Sequence, residues 1–310
     1  MTNDGHMFLE VNSVSKSYGA SVRPVLKDVN LSMREGEFVC VVGYSGSGKT
    51  TLINTIAGLL TPDAGEIRLN GKRVTGPDLG CALIFQNYSL LPWLSALRNV
   101  ELAVGQCCPG ASSDEITGRA KKYLTLVKLQ NAWDRRPGEL SGGMRQRVSL
   151  ARGLAMEPRI LLLDEPLGAL DALTRSELQD EFLRIQQVEK RTMLMITNDV
   201  DEAILLADRI IPMSAGPEAT LGDSIPVMIR RPVQRQELNY DPSYHQTRKA
   251  VVHFLLANGP GRKKASALKA KEALGARRSH VEHQTDHCSP ATVWRGENGA
   301  ASLVDEHAKA

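Results

Sequence analysis

Residues 43–50 read Gly-Tyr-Ser-Gly-Ser-Gly-Lys-Thr, a G-x-x-x-x-G-K-[ST] pattern that calls for a buried strand, a tight glycine-rich turn and a helix start in immediate succession. The flanks supply both neighbours. Phe38 to Val42 is a short run rich in β-branched residues that ends at Gly43, which predicts a buried parallel strand. Beyond the turn, Leu52, Ile53, Ile56, Leu59 and Leu60 fall at helical spacing, so a helix is expected from Thr50 to Leu60, closed by Thr61, Pro62, Asp63 and Gly65. In that setting successive backbone N–H groups converge on an anion, and the helix start adds its partial positive charge. The expected ATP ligands are Gly43, Ser45, Gly46, Ser47, Gly48, Lys49, Thr50 and Thr51. Lys49 would reach the β- and γ-phosphates, and the Thr50 hydroxyl is placed to ligate Mg²⁺.

Two further apolar runs, Arg159 to Leu163 ending at Asp164 and Met193 to Thr197, predict buried strands of the same kind. Strands alternating with helices imply an α/β sandwich around a mostly parallel sheet. Asp164 and the adjacent Glu165 then stand at the sheet edge where a parallel sheet places its ligands. Asp164 is assigned to the metal and Glu165 to the general base that polarises the attacking water. Between about residues 90 and 157 the pattern changes to amphipathic helical segments such as Ile116 to Leu129, the mark of an inserted helical subdomain. The remaining core is expected at about 1–89 and 158–232. Pro226, Arg230, Arg231 and Pro232 read as its exit, and 233–310 as a C-terminal extension, largely disordered beyond about 258 because it offers few large apolar groups.

With 42% hydrophobic and 24% charged side chains, the 310 residues have a globular composition. No run approaches the 18 apolar residues of a membrane span, and Met1 to Glu10 lacks the features of a secretory signal. The expectation is a cytosolic chain whose membrane role, if it has one, comes through a partner. Cys40, Cys81, Cys107, Cys108 and Cys288 form no C-x-x-C pair and read as structural or incidental. The net charge of +3 does not argue for nucleic acid, although Arg262, Lys263, Lys264, Lys269, Lys271, Arg277 and Arg278 crowd into one short stretch.

Leu140-Ser141-Gly142-Gly143-Met144-Arg145-Gln146-Arg147, just before the Asp164-Glu165 strand, resembles the signature of ABC transporter ATP-binding subunits. Ser141 and the Gly142-Gly143 backbone at a helix start form a second anion cradle, for which a lone nucleotide site has no use. The resemblance spans roughly residues 8 to 215 and implies a P-loop NTPase (RecA-like) core of the ABC type with its inserted helical subdomain. It implies that Ser141, Gly142, Gly143 and Gln146 close over ATP held by a second ATPase subunit. Tyr18 matches the aromatic that stacks on adenine. Gln86 matches the glutamine that joins magnesium and the attacking water to the helical subdomain, and Asp171 the aspartate that crosses the dimer interface. The chain departs from the pattern at Asn198, where the family usually has a switch histidine. Asparagine can still donate to a γ-phosphate oxygen but carries no proton or charge.

Phe85 to Trp93 carries an apolar and aromatic cluster where the family presents a groove to the membrane subunit's coupling helix. Together with Thr197 to Arg209 and Ile211 to Pro217, it is similar to the ATPases of nitrate, nitrite and cyanate importers, with taurine, sulfonate and bicarbonate systems close by. The resemblance implies an ATP-hydrolysing importer subunit, peripheral on the cytoplasmic side of the inner membrane, coupled to uptake of a small anion, nitrate or nitrite first. Its implied partners are a second ATPase subunit, identical or different, two transmembrane permease subunits and a periplasmic or lipoprotein anion receptor, with no nucleic acid. The segment after Pro232 is too short for a fused solute-binding domain, so the unfused form is expected. A different class remains open through Asn198: a nucleotide-gated scaffold with weak hydrolysis.

Overall fold

The computed structural model describes residues 7–19, 23–229, 231 and 235–261. Arg230, Pro232, the basic cluster from Arg262 to Arg278, Cys288 and nearly all of the tail expected to be disordered lie outside the described residues. The first half of the chain forms β1 (Leu9–Lys16), β2 (Leu26–Met33), β3 (Phe38–Gly43), α1 (Lys49–Ile56), β4 (Ala64–Leu69), β5 (Lys72–Arg73) and β6 (Cys81–Ile84). Three helices follow, α2 (Ala96–Cys107), α3 (Ser113–Leu126) and α4 (Gly142–Ala155). The second half forms β7 (Ile160–Asp164), α5 (Ala172–Glu189), β8 (Thr192–Thr197), α6 (Val200–Leu206), β9 (Arg209–Met213), β10 (Ile225–Pro226) and α7 (Pro242–Ala257).

The larger sheet has the order β10-β9-β3-β8-β7-β6 and is parallel except for β10. Every residue of β3, β7 and β8 is buried, which is why these strands read as unbroken apolar runs. Alternate side chains of the same strands feed two cores. Phe38, Cys40, Leu161, Leu163, Met193 and Met195 face a layer formed by the helices after β6. Val39, Val41, Leu162, Leu194 and Ile196 face α1 and a second sheet, where Leu52, Ile53, Leu9 and Val11 meet them. Each fully buried side chain of this size contributes about 1.5–3 kcal/mol by leaving water.

The second sheet, antiparallel and ordered β2-β1-β4-β5, was not expected from the sequence. Its alternation is broken by register shifts in β1 between Val11 and Val14 and between Val14 and Lys16. Ser13 and Asp28 adopt positive φ at these irregularities, so polar residues interrupt the period of two. The helix after the glycine-rich turn is also shorter than its apolar spacing suggests. The N–H groups of Gly58 and Leu59 turn back to Thr55 O and Asn54 O at 3.1 and 2.9 Å, a Schellman motif with Gly58 left-handed, and Leu59 is left half-exposed.

Residues 90–157 contain α2, α3 and α4 and no strand among the described residues. Ser95 caps α2, and Ser112 with Glu115 forms a capping box at α3. Val100, Val104, Ala120, Leu124, Leu150 and Leu154 are fully buried among them. The exit expected at 226–232 is not where the compact unit ends. α7 packs on α6, β9 and β10, with Val251 fully buried and Thr247 nearly so. The Tyr244 hydroxyl and Arg248 Nε both donate to Asp201 Oδ1 at 2.8 Å. Polar anchoring of this kind leaves little hydrophobic signal in the sequence, although Asp241 at the N-cap and Pro242 at the first turn are start signals.

Candidate functional site

The C-terminal ends of β7, β3 and β8 assemble the site by register. Val42 lies opposite Thr197, and Asp164 opposite Ile196, so Gly43, Asp164 and Asn198 emerge on one edge of the sheet. The loop from Gly43 leads into α1, whose N-cap Gly48 has φ +99° and offers no side-chain cap. Every other described α-helix is capped by a side chain, from Ser95, Ser112, Ser141, Asp171, Asp199 or Asp241. The first N–H groups of α1 are thus the ones left open to an external acceptor, at the positive end of the helix dipole. A Cβ at Gly48 would stand 2.9 Å from Val25 Cγ1, so the position admits no side chain in any case.

The Lys49 side chain is only 4% exposed, and its Nζ donates to Gly43 O and Tyr44 O at 3.0 Å each, while Glu165 Oε1 lies 3.2 Å away. The loop thereby holds its own ammonium at the mouth of the cradle, satisfied as a buried charge must be. Ser47 is buried, Ser45, Gly46 and Thr50 are exposed, and Thr51 is turned inward on α1. The Thr50 hydroxyl donates to Asp164 Oδ1 at 3.2 Å. Asp164 is 6% exposed, and burial pushes its carboxyl above the usual carboxylate range. The Thr50 hydrogen bond opposes that rise, the neighbouring Glu165 carboxylate adds to it and Lys49 opposes it. A buried carboxylate beside a hydroxyl is an oxygen donor set that a hard divalent cation fits, and such a cation would relieve the repulsion from Glu165.

Glu165 takes a left-handed backbone (φ +43°), rare for a residue with a long side chain, and its N–H is held by Ile196 O at 3.0 Å. That conformation turns the chain out of the sheet directly after Asp164. Gln86 lies in the exposed turn after β6, and a Cβ at Gly168 would come within 3.8 Å of its Nε2. Gln86 therefore borders the loop that carries Glu165. Asn198 is exposed just past β8, ahead of Asp199, which caps α6 through the N–H groups of Asp201 and Glu202. Tyr18 is 48% exposed above α1 and shares a hydrogen bond with Thr51 Oγ1 at 3.2 Å.

Ser141 is exposed at the N-cap of α4, its Oγ accepting from Met144 N–H at 3.2 Å. Gly143 permits the closest helix approach in this region, since a Cβ there would overlap Thr174 Cγ2 at 2.2 Å. Asp171 is exposed at the N-cap of α5, and the N–H of Thr174 holds its carboxyl below the usual range. Gln146 does not share the outward position expected for it. It is fully buried inside the helical layer, with neither Oε1 nor Nε2 hydrogen-bonded among the described residues, and so presents no surface to a nucleotide on another subunit. The reason is periodicity: four residues into α4 from Gly142, it lies on the face that α4 turns inward along with Leu150 and Gly153.

The ABC transporter family profile matches residues 26–168. The bicarbonate transport ATP-binding protein CmpD of Synechocystis sp. is 46% identical over 250 residues, 80% of this chain and 89% of that protein. The nitrate import ATP-binding protein NrtD of Synechococcus elongatus is 45% identical over 250 residues, 80% of this chain and 91% of that protein. Among solved structures, the ATP-binding cassette MJ0796, a dimer in a post-hydrolysis state bound to ADP and Pi, superposes with a TM-score of 0.64 and 32% identity. It covers 72% of this chain and all of that one. At these identities and coverages, the chain belongs to the ABC transporter family of ATP-binding proteins.

Proposed function

We propose that this chain is the ATP-hydrolysing subunit of an importer for a small inorganic oxyanion, nitrate or nitrite first. The observation that carries the two-subunit part of this reading is the exposed start of α4. The Ser141 hydroxyl caps its own helix and makes no other hydrogen bond among the described residues, and the residue is exposed, so the cradle is presented outward. Two copies, or this chain and a homologous mate, would each lay that cradle on the triphosphate held by the other.

Thr50 and Asp164, with Gln86 nearby, would hold Mg²⁺, which when bound neutralises charge on the β- and γ-oxygens. Lys49 binds the β- and γ-phosphates, Glu165 takes the proton of the attacking water, and Asn198 donates to the γ-phosphate. Tyr18 offers its ring to the base, and Asp171 lies on the surface that would face the mate.

A groove of 390 Å³ opens between the sheet and the helical layer, lined among others by Leu59, Leu83, Phe85, Leu91, Leu102 and Met156. Ser149 also lines it, its buried hydroxyl without a partner among the described residues. This is the place we assign to a helix of a membrane subunit, two of which would complete the importer together with an anion receptor. Trp93, 66% exposed, is neither packed inside nor part of that lining. No helix among the described residues is long and apolar enough to cross a membrane, and the proposal places the chain at the cytoplasmic face through this groove. The similarity to CmpD favours bicarbonate as a second reading of the cargo. Reconstitution with the two membrane subunits and the receptor, followed by uptake of labelled nitrate and bicarbonate, tests both. ATP-driven uptake of neither anion would refute both cargo readings.

A further inference from the structure

The region read from sequence as an extension beyond the ATPase touches the nucleotide site at two places. At its N-terminal end, α7 sends Tyr244 and Arg248 to Asp201 Oδ1, both at 2.8 Å. Asp201 lies in the first turn of α6, three residues past Asn198, and its N–H donates to the capping Asp199. At the other end the Tyr44 hydroxyl donates to Leu255 O at 3.3 Å, in the last turn of α7. Asn258 O accepts from Ala215 N–H at 3.0 Å, and the Ala215-Gly216 segment lies over the glycine-rich loop, where a Cβ on Gly216 would be 3.3 Å from Gly46 O. Between these ends Val251 is fully buried, and the Phe254 ring covers Gly222 so closely that a Cβ there would overlap it. The helix is therefore fastened along its length, and the span from Tyr244 to Leu255 is roughly 16 Å at 1.5 Å per residue.

Tyr44 carries this contact into the chemistry. Its own carbonyl accepts from Lys49 Nζ at 3.0 Å and from Ser47 N–H at 3.1 Å. A displacement of Tyr44 therefore displaces the cation that grips the phosphates.

We infer that α7 is a strut that fixes the distance between the Lys49 loop and the Asn198 turn, with Tyr44 and Tyr244 as the positioning residues at its two ends. The inference rests on reading this site as the ATP site. Neither tyrosine touches nucleotide in this arrangement through its hydroxyl. Each acts through its neighbour.

Tyr44→Phe and Tyr244→Phe keep the rings and remove only the fastening hydroxyls. In the full-length chain each is expected to raise KM for ATP about three- to tenfold, the range one hydrogen bond commands, with Tm lowered by no more than a few degrees. Both hydroxyls act through the same helix, so their effects in the double variant should fall short of the product of the two single effects. Effects that multiply would mean two independent contacts and would overturn the strut, as would a fall in Tm with KM unaltered in both variants. A wild-type chain that bound no ATP would overturn the nucleotide site and the strut together.

Discussion

Lys49 Nζ stands 3.2 Å from Glu165 Oε1, so the cation proposed for the phosphates and the carboxylate proposed for the attacking water are ion-pair partners. A triphosphate must compete with Glu165 for the same ammonium, and its arrival releases the carboxylate. Glu165→Gln should therefore do two opposite things. Phosphate release should fall about 10²- to 10⁴-fold with loss of the base, while ATP should be retained more tightly because its competitor for Lys49 has lost its charge. Equilibrium ATP binding beside a turnover assay checks both, and weaker ATP binding by the variant would contradict the competition.

The burial of Asp164 has a consequence for stability in the absence of nucleotide. Its folded-state carboxyl titrates above the unfolded value of 3.8, chiefly through burial and also through Glu165. The protonated form is then the better accommodated one, so the group's stabilising contribution is full below pH 3.8 and is lost as pH rises through the raised folded-state pKa. Asp164→Asn, which cannot ionise and still accepts from Thr50, should raise Tm near pH 7 by a few degrees. About 2–4 °C corresponds to ~1 kcal/mol in a chain of this size. The advantage should shrink as the melts are taken to lower pH, while Mg²⁺-dependent ATP hydrolysis is lost at all of them.

The legible parts of this chain are those where one physical demand dominates. β3, β7 and β8 are buried on both faces and leave uninterrupted apolar runs, and the loop between β3 and α1 needs its glycines and lysine in fixed order. β1 is also half-buried, yet its inward residues Leu9, Val11 and Val14 are spaced by two and then by three because of a bulge, a pattern that matches neither strand nor helix. α7 hides for another reason: its inward positions Tyr244, Thr247 and Val251 are helically spaced but mostly polar-bearing, and its anchors are hydrogen bonds to residues some forty positions away. Gln146 shows the opposite failure. It follows the signature closely enough in sequence to be read with it, and one turn of α4 carries it inside.

Ser141 combines a local duty with the one proposed for it across the subunit boundary, and one substitution separates them. Aspartate is as good an N-cap as serine, so Ser141→Asp should leave folding stability within about 0.5 kcal/mol of wild type. It also places a negative charge where the mate's γ-phosphate would sit, and like charges brought out of water repel strongly. ATP-induced association, followed by size-exclusion chromatography with Glu165→Gln in the background to slow hydrolysis, should disappear. Dimers that form as readily as before would mean that Ser141 serves only as the cap of α4.

Asn198 is exposed at the sheet edge, so a larger ring at this position enters no packed space. Histidine would restore a side chain long enough to reach the γ-phosphate and able to carry charge, whereas asparagine can only donate a neutral hydrogen bond. If Asn198 limits turnover, Asn198→His should raise phosphate release in the assembled importer about three- to tenfold. The gain should also acquire a pH dependence that an asparagine at this position cannot supply. An imidazole with an ordinary pKa near 6.5 is increasingly protonated below that point, so the gain should be largest there if charge on the ring is what helps. It should be flat across that range if only reach matters. Turnover no higher than wild type at any pH would mean that another step sets the rate, and that the asparagine is a sufficient partner for the phosphate.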